Sequence, residues 1–209
     1  MFSSRIHAGQ QLAQELVKRQ VQADLVLGIA RGGVVVAIEV AKTLKLPLDV
    51  LVVKKLGAPR NPELAIGALT YGDVTYIDED LVRRLTVDKM FVVEEVKKKH
   101  HEFLEREKQM RNGKPQPRVV NERVVLVDDG IATGATVIAA VQWLRQQKAR
   151  TITLALPVAP QQIVSVLVSL VDEYVILEEP ENFHAVGEFY KDFKEVTDEE
   201  VKNLLGSRG

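Results

Sequence analysis

The chain has 209 residues, 46% of them hydrophobic and 27% charged, with a formal net charge of −1 and no cysteine. That length and composition fit one soluble domain, residues 1–209, with a sizeable core. The charge offers no long-range attraction to nucleic acid or to an anionic membrane, and the missing cysteine excludes disulfides and thiolate metal sites. No apolar signal segment follows Met1 and no run approaches about 18 apolar residues, so the chain reads as cytoplasmic, without a membrane or nucleic-acid partner.

A helix is expected over 7–20, where Leu12, Ala13, Leu16 and Val17 share a face, followed by a buried strand over 24–30 (DLVLGIA). Ala30-Arg31-Gly32-Gly33 lies at the carboxyl end of that strand, before a helix over 34–44. Its glycines permit a tight turn whose N–H groups and Arg31 face outward, which suits an anion or, equally, a plain Gly-Gly turn with a solvated arginine. Residues 48–54 (LDVLVVK) read as a second strand that brings Lys54 and Lys55 to the same sheet edge, facing phosphates or simply solvent. Residues 57–72 hold two prolines, Asn61 and three glycines with little periodicity, and read as a mobile loop. A short strand over 74–77 is expected to pair with its apolar part, 64–69, before a short helix over 79–85.

Residues 87–112 place Val92, Val93, Val96, Phe103 and Leu104 near helical spacing among lysines and glutamates, an amphipathic helix with a solvated charged face. His100 and His101 are adjacent, point in different directions, and make a poor metal pair. Gly113, Pro115 and Pro117 end that helix. Next comes VVLVDDGIATGAT, residues 124–136: an apolar strand, Asp128 and Asp129 at its carboxyl end, and a loop of small and hydroxyl-bearing residues opening a helix over 134–147. Gly130, Ile131, Ala132, Thr133, Gly134, Ala135 and Thr136 let backbone N–H groups approach a phosphate at a helix N-terminus, while the paired carboxylates suit sugar hydroxyls or a hydrated metal ion. This is not a nucleotide-binding P-loop, because the two glycines are too close together and no lysine follows.

A strand over 151–157, a helix over 161–170 and a strand over 172–177 complete an alternation that implies an α/β fold, a doubly wound, mainly parallel five-stranded sheet with helices on both faces. The ends of strands 24–30, 48–54 and 124–129 then meet at one edge. Residues 178–193 (EEPENFHAVGEFYKDF) break the pattern with Pro180, Gly187 and four aromatics, and Thr197 with Glu200 forms a capping box for a helix over 197–205.

The 124–136 stretch resembles the phosphoribosyl pyrophosphate (PRPP) signature of the type I phosphoribosyltransferases, and ARGG resembles their pyrophosphate loop. The run Lys55-Leu56-Gly57-Ala58-Pro59-Arg60-Asn61-Pro62-Glu63 resembles the K-x-G-A-P-x-N-P-E loop of a group of predicted phosphoribosyltransferases of unassigned acceptor. The resemblance implies a fold with a small C-terminal hood, about 178–209, a lid over about 55–73 and a helical insertion over about 79–113. It implies transfer of a 5-phosphoribosyl group from PRPP to a nitrogen acceptor, with Mg2+ held mainly through PRPP and possibly by Asp128 and Asp129. Asp128, Asp129 and Lys55 would be catalytic, 130–136 would hold the 5′-phosphate, and Arg31, Gly32, Gly33, Lys54 and Lys55 would hold pyrophosphate. Lys55, Arg60 and Glu63 are the candidates to act from the lid. Phe183 and Tyr190 are the candidate acceptor-stacking residues, or else hood core. The 6-oxopurine members carry an acidic residue where this chain has Ala132, so the loop is closer to adenine- and uracil-type forms. A homo-oligomer is expected. A non-catalytic PRPP or nucleotide sensor of the same fold is the alternative, and hydrolysis or phosphate transfer on a phosphosugar a third reading, without a clear water-activating group near Thr133.

Overall fold

The computed structural model describes residues 1–111 and 115–206. Five strands form the main sheet: β1 (Leu25–Ile29), β2 (Leu48–Leu51), β6 (Arg123–Val127), β7 (Thr151–Val158) and β8 (Glu173–Glu178), in the order β2-β1-β6-β7-β8. Every ladder in it is parallel. A parallel sheet is covered on both faces, so its strands need apolar side chains on both sides. In β6 the alternation is visible as two cores. Val125 and Val127 face the helices α1 (Arg5–Lys18) and α2 (Gly32–Leu44), through Leu12, Leu16, Val36 and Val40. Val124 and Leu126 face the other side, with α5 (Ala135–Gln146) and α6 (Gln161–Val168).

The expected strand over 48–54 is two elements. It stops at Leu51; Val52 and Val53 carry the chain out of the sheet, with the Val52 carbonyl accepting a hydrogen bond of 2.7 Å from Thr70 Oγ1. Lys54 opens β3 (Lys54–Ala58), which pairs antiparallel with β4 (Asn61–Leu69), itself paired with β5 (Thr75–Ile77). The segment expected as a loop over 57–72 is therefore mostly a β-hairpin turning at Pro59-Arg60. Its strands show no period of two because Ala65–Leu69 is buried along its whole length, packed against α5. The pairing of 74–77 with 64–69 is present in register, Leu69 opposite Thr75 and Gly67 opposite Ile77.

Two helices follow, α3 (Glu79–Arg84) and the 23-residue α4 (Lys89–Arg111). Arg111 fastens the end of α4 to β2: its guanidinium donates to both carboxylate oxygens of Asp49 at 2.7 and 3.1 Å. Asn112 and Gly113, expected at the helix end, lie outside the described residues. The capping box is present, with Thr197 N–H on Glu200 Oε2 at 2.6 Å and Glu200 N–H on Thr197 Oγ1 at 3.1 Å, opening α7 (Asp198–Gly206). Among the described residues no helix is long and apolar enough to cross a membrane.

The hood is built from both ends of the chain. Phe2 N–H donates to the Phe189 carbonyl at 2.7 Å, Lys191 N–H returns to Phe2 at 2.9 Å, and Phe2 packs with Ala8 and Tyr190. The hood expected from the C-terminal segment alone thus has an N-terminal half, which the aromatic content of 178–193 did not reveal.

Candidate active site

The carboxyl ends of β1 and β6 lie side by side, so the turn after β1 (Ala30–Gly33) and the loop after β6 (Asp128–Gly134) meet. They meet tightly. A Cβ on Gly33 would stand 2.8 Å from Asp128 Cα, and one on Gly32 only 1.9 Å from Asp129 Oδ2, so both glycines are needed for the two loops to share one site. The Ala30–Arg31 peptide bond is cis. At the start of α5, Gly134 takes a left-handed conformation at φ 76° as the N-cap, which turns the loop across the helix end.

These loops line one cavity of about 880 Å3. Arg31, Gly32, Lys54, Lys55, Asp128, Asp129, Gly130, Ile131, Ala132, Thr133, Gly134 and Thr136 all reach it. Two members of the expected phosphate loop have other duties: the Ile131 N–H donates to the Val158 carbonyl at 3.2 Å, and Ala135 is buried behind Thr133 rather than at the cavity. The β3–β4 hairpin forms a wall through Gly57, Ala58, Pro59, Pro62 and Glu63; Arg60 is not part of that wall.

Asp128 is buried, and burial together with the Asp129 charge beside it raises its carboxyl well above the usual carboxylate range. Its Oδ1 accepts the Asp129 N–H at 2.9 Å, and the charge of Lys55 opposes the rise. Asp129 is salt-bridged to Arg5, from Nε to Oδ2 at 2.6 Å. Lys54 is held by Glu102 at 3.3 Å, and its ammonium pKa is lowered first by burial and then by the charge of Arg106. Lys55 makes no ion pair among the described residues. Arg31 is paired with Glu195 Oε1 at 2.6 Å.

Tyr190 and Phe183, expected to stack on an acceptor, do not line the cavity. Tyr190 is 6% exposed, stacked on Phe193 and tilted against Phe2, and its hydroxyl donates to the Asp129 carbonyl at 2.5 Å, so it supports the Asp pair from behind. Phe183 stacks on Phe189 within the hood, at 5.7 Å and 14°. The aromatics that do reach the cavity are Phe193, which carries the Arg5 guanidinium 3.8 Å above its ring, and Phe91 of α4.

The charged face of α4, expected to be solvated, is a second correction. Glu95, Lys98, Lys99, Glu102 and Arg106 line the cavity. They recur every three or four residues, which is one helical face; the mixed signs that suggested solvent are a network in which Lys99 reaches Glu102 at 3.0 Å and Glu102 reaches Lys54. Arg5 belongs to no sequence motif, although it follows a Ser4 that caps α1 by accepting the His7 N–H at 3.3 Å.

A family model described as "Phosphoribosyl transferase domain" matches residues 4–194 of this chain. Two Mycobacterium tuberculosis proteins, each described as "Putative phosphoribosyl transferase", are 43% identical to it over 205 residues, which is 98% of this chain and 46% of each relative. The chain therefore spans about half the length of the curated relatives it matches. Among solved structures, the TT1426 protein of Thermus thermophilus is similar at 40% identity with a TM-score of 0.80, over 98% of this chain and 97% of that one. The AQ2163 protein of Aquifex aeolicus shares the fold, with a TM-score of 0.52 at 11% identity over 86% of this chain and 74% of that one.

Proposed function

Because the chain belongs to the phosphoribosyl transferase domain family, we propose that it moves the 5-phosphoribosyl group of PRPP to a nitrogen acceptor, a nucleobase or related amine, releasing pyrophosphate in a Mg2+-dependent reaction. One observation carries this reading. The turn after β1, the loop after β6, a pair of aspartates and Lys55 converge on one cavity of about 880 Å3, at the strand ends where open α/β sheets bind ligands.

The loop around Ala132, Thr133 and Thr136 would cradle the 5′-phosphate at the N-terminus of α5, where backbone N–H groups and the helix dipole favour an anion. Asp128 and Asp129 would accept the ribose hydroxyls beside C1. As the bond to pyrophosphate lengthens, positive charge grows on the ring, and these carboxylates offset it. Arg31, the turn at Gly32, and Lys55, which line the cavity, would neutralise the charge of the departing pyrophosphate; Gly33, behind them, lets that turn pack against Asp128. The hairpin wall from Gly57 to Glu63 limits the access of water, which otherwise competes with the acceptor.

Among the described residues no group of three or more His, Asp or Glu side chains could hold a metal ion. Asp128 and Asp129 would hold Mg2+ together with the oxygens of PRPP, since this cation takes few protein ligands when a diphosphate is bound. When bound, the ion supplies neutralising charge to the diphosphate. No acid or base stands at Ala132 to handle an acceptor proton; besides the Asp pair, Glu63, Glu95, Glu102 and Glu195 bring carboxylates to the cavity. A net charge of −1 supports small-molecule substrates over nucleic acid.

The test is pyrophosphate release from PRPP and Mg2+ across a panel of nucleobases and amines. Turnover with at least one acceptor is expected. PRPP binding with no turnover on any of them would replace the enzyme by a PRPP or nucleotide sensor of the same fold.

A further inference from the structure

Arg106 comes from α4, outside both anion loops, yet it meets Arg31 across a single carboxylate. Asp198 Oδ2 lies 3.3 Å from Arg106 Nε, and Asp198 Oδ1 lies 3.8 Å from Arg31 Nε. Glu195 Oε1 occupies the other edge of Arg31, at 2.6 Å from Nη2. Two guanidinium groups within reach of the two oxygens of one carboxylate are also within reach of one phosphate group. We propose that Arg106 is a second arginine for the leaving pyrophosphate, and that Glu195 and Asp198 stand in for its oxygens while the site is empty. This inference rests on the phosphoribosyltransferase reading given above.

Three observations support it. Arg106 lines the cavity together with Arg31, Lys54 and Lys55, and its charge is felt at Lys54. Cations gathered in this way repel one another, and an anion placed among them relieves the repulsion. Asp198, secondly, holds the arginines incompletely. Asp198 Oδ1 is buried with no hydrogen-bond partner, and its 3.8 Å approach to Arg31 is an ion pair too long for a hydrogen bond. A phosphate, with three oxygens in place of two, can bond to both arginines at once.

The third observation is that Glu195 can leave without unfolding anything. Glu195 is 77% exposed and lies in a stretch without regular structure. That stretch is fixed on both sides: Lys191 and Asp192 donate backbone N–H groups to Phe2 and Ser3, and the Thr197 capping box starts α7. Rotation of the Glu195 side chain is enough to free that edge of Arg31. Lys54 and Arg106 would then be drawn toward the incoming anion from one wall while Arg31 holds it from the other.

Calorimetric titration of inorganic pyrophosphate into the full chain tests this, using wild type, Arg106→Gln, Arg31→Gln, Glu195→Gln and Glu195→Gln/Asp198→Asn. Arg106→Gln should weaken binding roughly tenfold, the effect of losing one charge-assisted contact. The double carboxylate variant should bind roughly three- to tenfold tighter, and Glu195→Gln, altered only at an exposed side chain, should move in the same direction. Wild-type affinity in Arg106→Gln, or weaker binding in the carboxylate variants, overturns the inference. If Arg31→Gln alone loses affinity, the functional reading stands and only this inference falls; if no form of the protein binds pyrophosphate, both fall.

Discussion

Arg5 Nε lies 2.6 Å from Asp129 Oδ2, although the two residues are 124 positions apart. The same guanidinium lies over Phe193 and donates from Nη1 to the Lys194 carbonyl at 2.7 Å, so one side chain ties the start of α1 to the Asp pair and the hood. Both partners are nearly buried, with side-chain exposures of 11% and 13%. Breaking such a pair from one side leaves a charge that neither water nor protein satisfies.

Arg5→Ala should therefore destabilise the protein by about 2–4 kcal/mol, as expected for an ion pair with little solvent. Urea unfolding at neutral pH measures it. Arg5→Lys should recover only part of the loss, since an ammonium cannot both lie flat on Phe193 and fork to two acceptors. A loss under about 0.5 kcal/mol in Arg5→Ala would place the pair among ordinary surface contacts.

Gly33→Ala should be worse than Gly32→Ala. The Gly33 Cβ would meet backbone, Asp128 Cα and the Val127 carbonyl, both at 2.8 Å, and neither can rotate away. The Gly32 Cβ would meet the Asp129 side chain, which can move at the expense of its bond to Arg5. An overpacking cost of about 1–3 kcal/mol is expected at Gly33. Gly32→Ala should lose PRPP affinity more than stability. Equal stabilities of the two variants by thermal melting, each with wild-type PRPP binding, would show that the loops can separate freely.

Asp128 gives a prediction in which stability and function part. Its carboxyl is raised by burial and by Asp129, so the folded protein holds that proton more tightly than the unfolded chain does. The contribution to stability is fully present below the unfolded value, about pH 4, and is lost as pH rises through the raised folded value. Asn at this position carries no such dependence and can still accept the Asp129 N–H. Asp128→Asn should match or exceed wild type in urea midpoint at pH 8 while binding PRPP poorly. A lower midpoint at pH 8 would mean that the charged carboxylate is itself stabilising.

Asp24 behaves in the opposite sense. The Arg123 guanidinium and backbone N–H hold its carboxyl at about 2. A depressed pKa contributes stability above the unfolded value, and that contribution fades as pH falls from about 4 toward about 2. Asp24→Asn should flatten this part of the acid unfolding curve and leave PRPP binding unchanged, because the pair lies at the amino ends of β1 and β6, away from the cavity. An unchanged acid curve would count against the pairing.

What could be read in the sequence was local. Val124–Thr136 and Ala30–Gly33 each carry their chemistry in consecutive residues, and the parallel sheet follows from the apolar runs that precede them. The charged face of α4 could not be assigned in this way. A lysine-glutamate helix has the same pattern whether it faces solvent or a polar cavity, and only the fold of the β3–β4 hairpin decides that Lys99, Glu102 and Arg106 face inward. Arg5 and Phe193 join the site through the pairing of the two chain ends, a contact with no signature at short range. In Tyr190 the aromatic ring is what the sequence offers, whereas its hydroxyl on the Asp129 carbonyl is what the structure employs.

We propose that the loops after β1 and β6 form one PRPP site organised by the Asp pair. Calorimetric titration of PRPP with Mg2+ into wild type and into Asp128→Asn/Asp129→Asn tests it most directly. Saturable binding to wild type that the double variant loses is the expected result. No binding to wild type, or equal binding to both proteins, would contradict it.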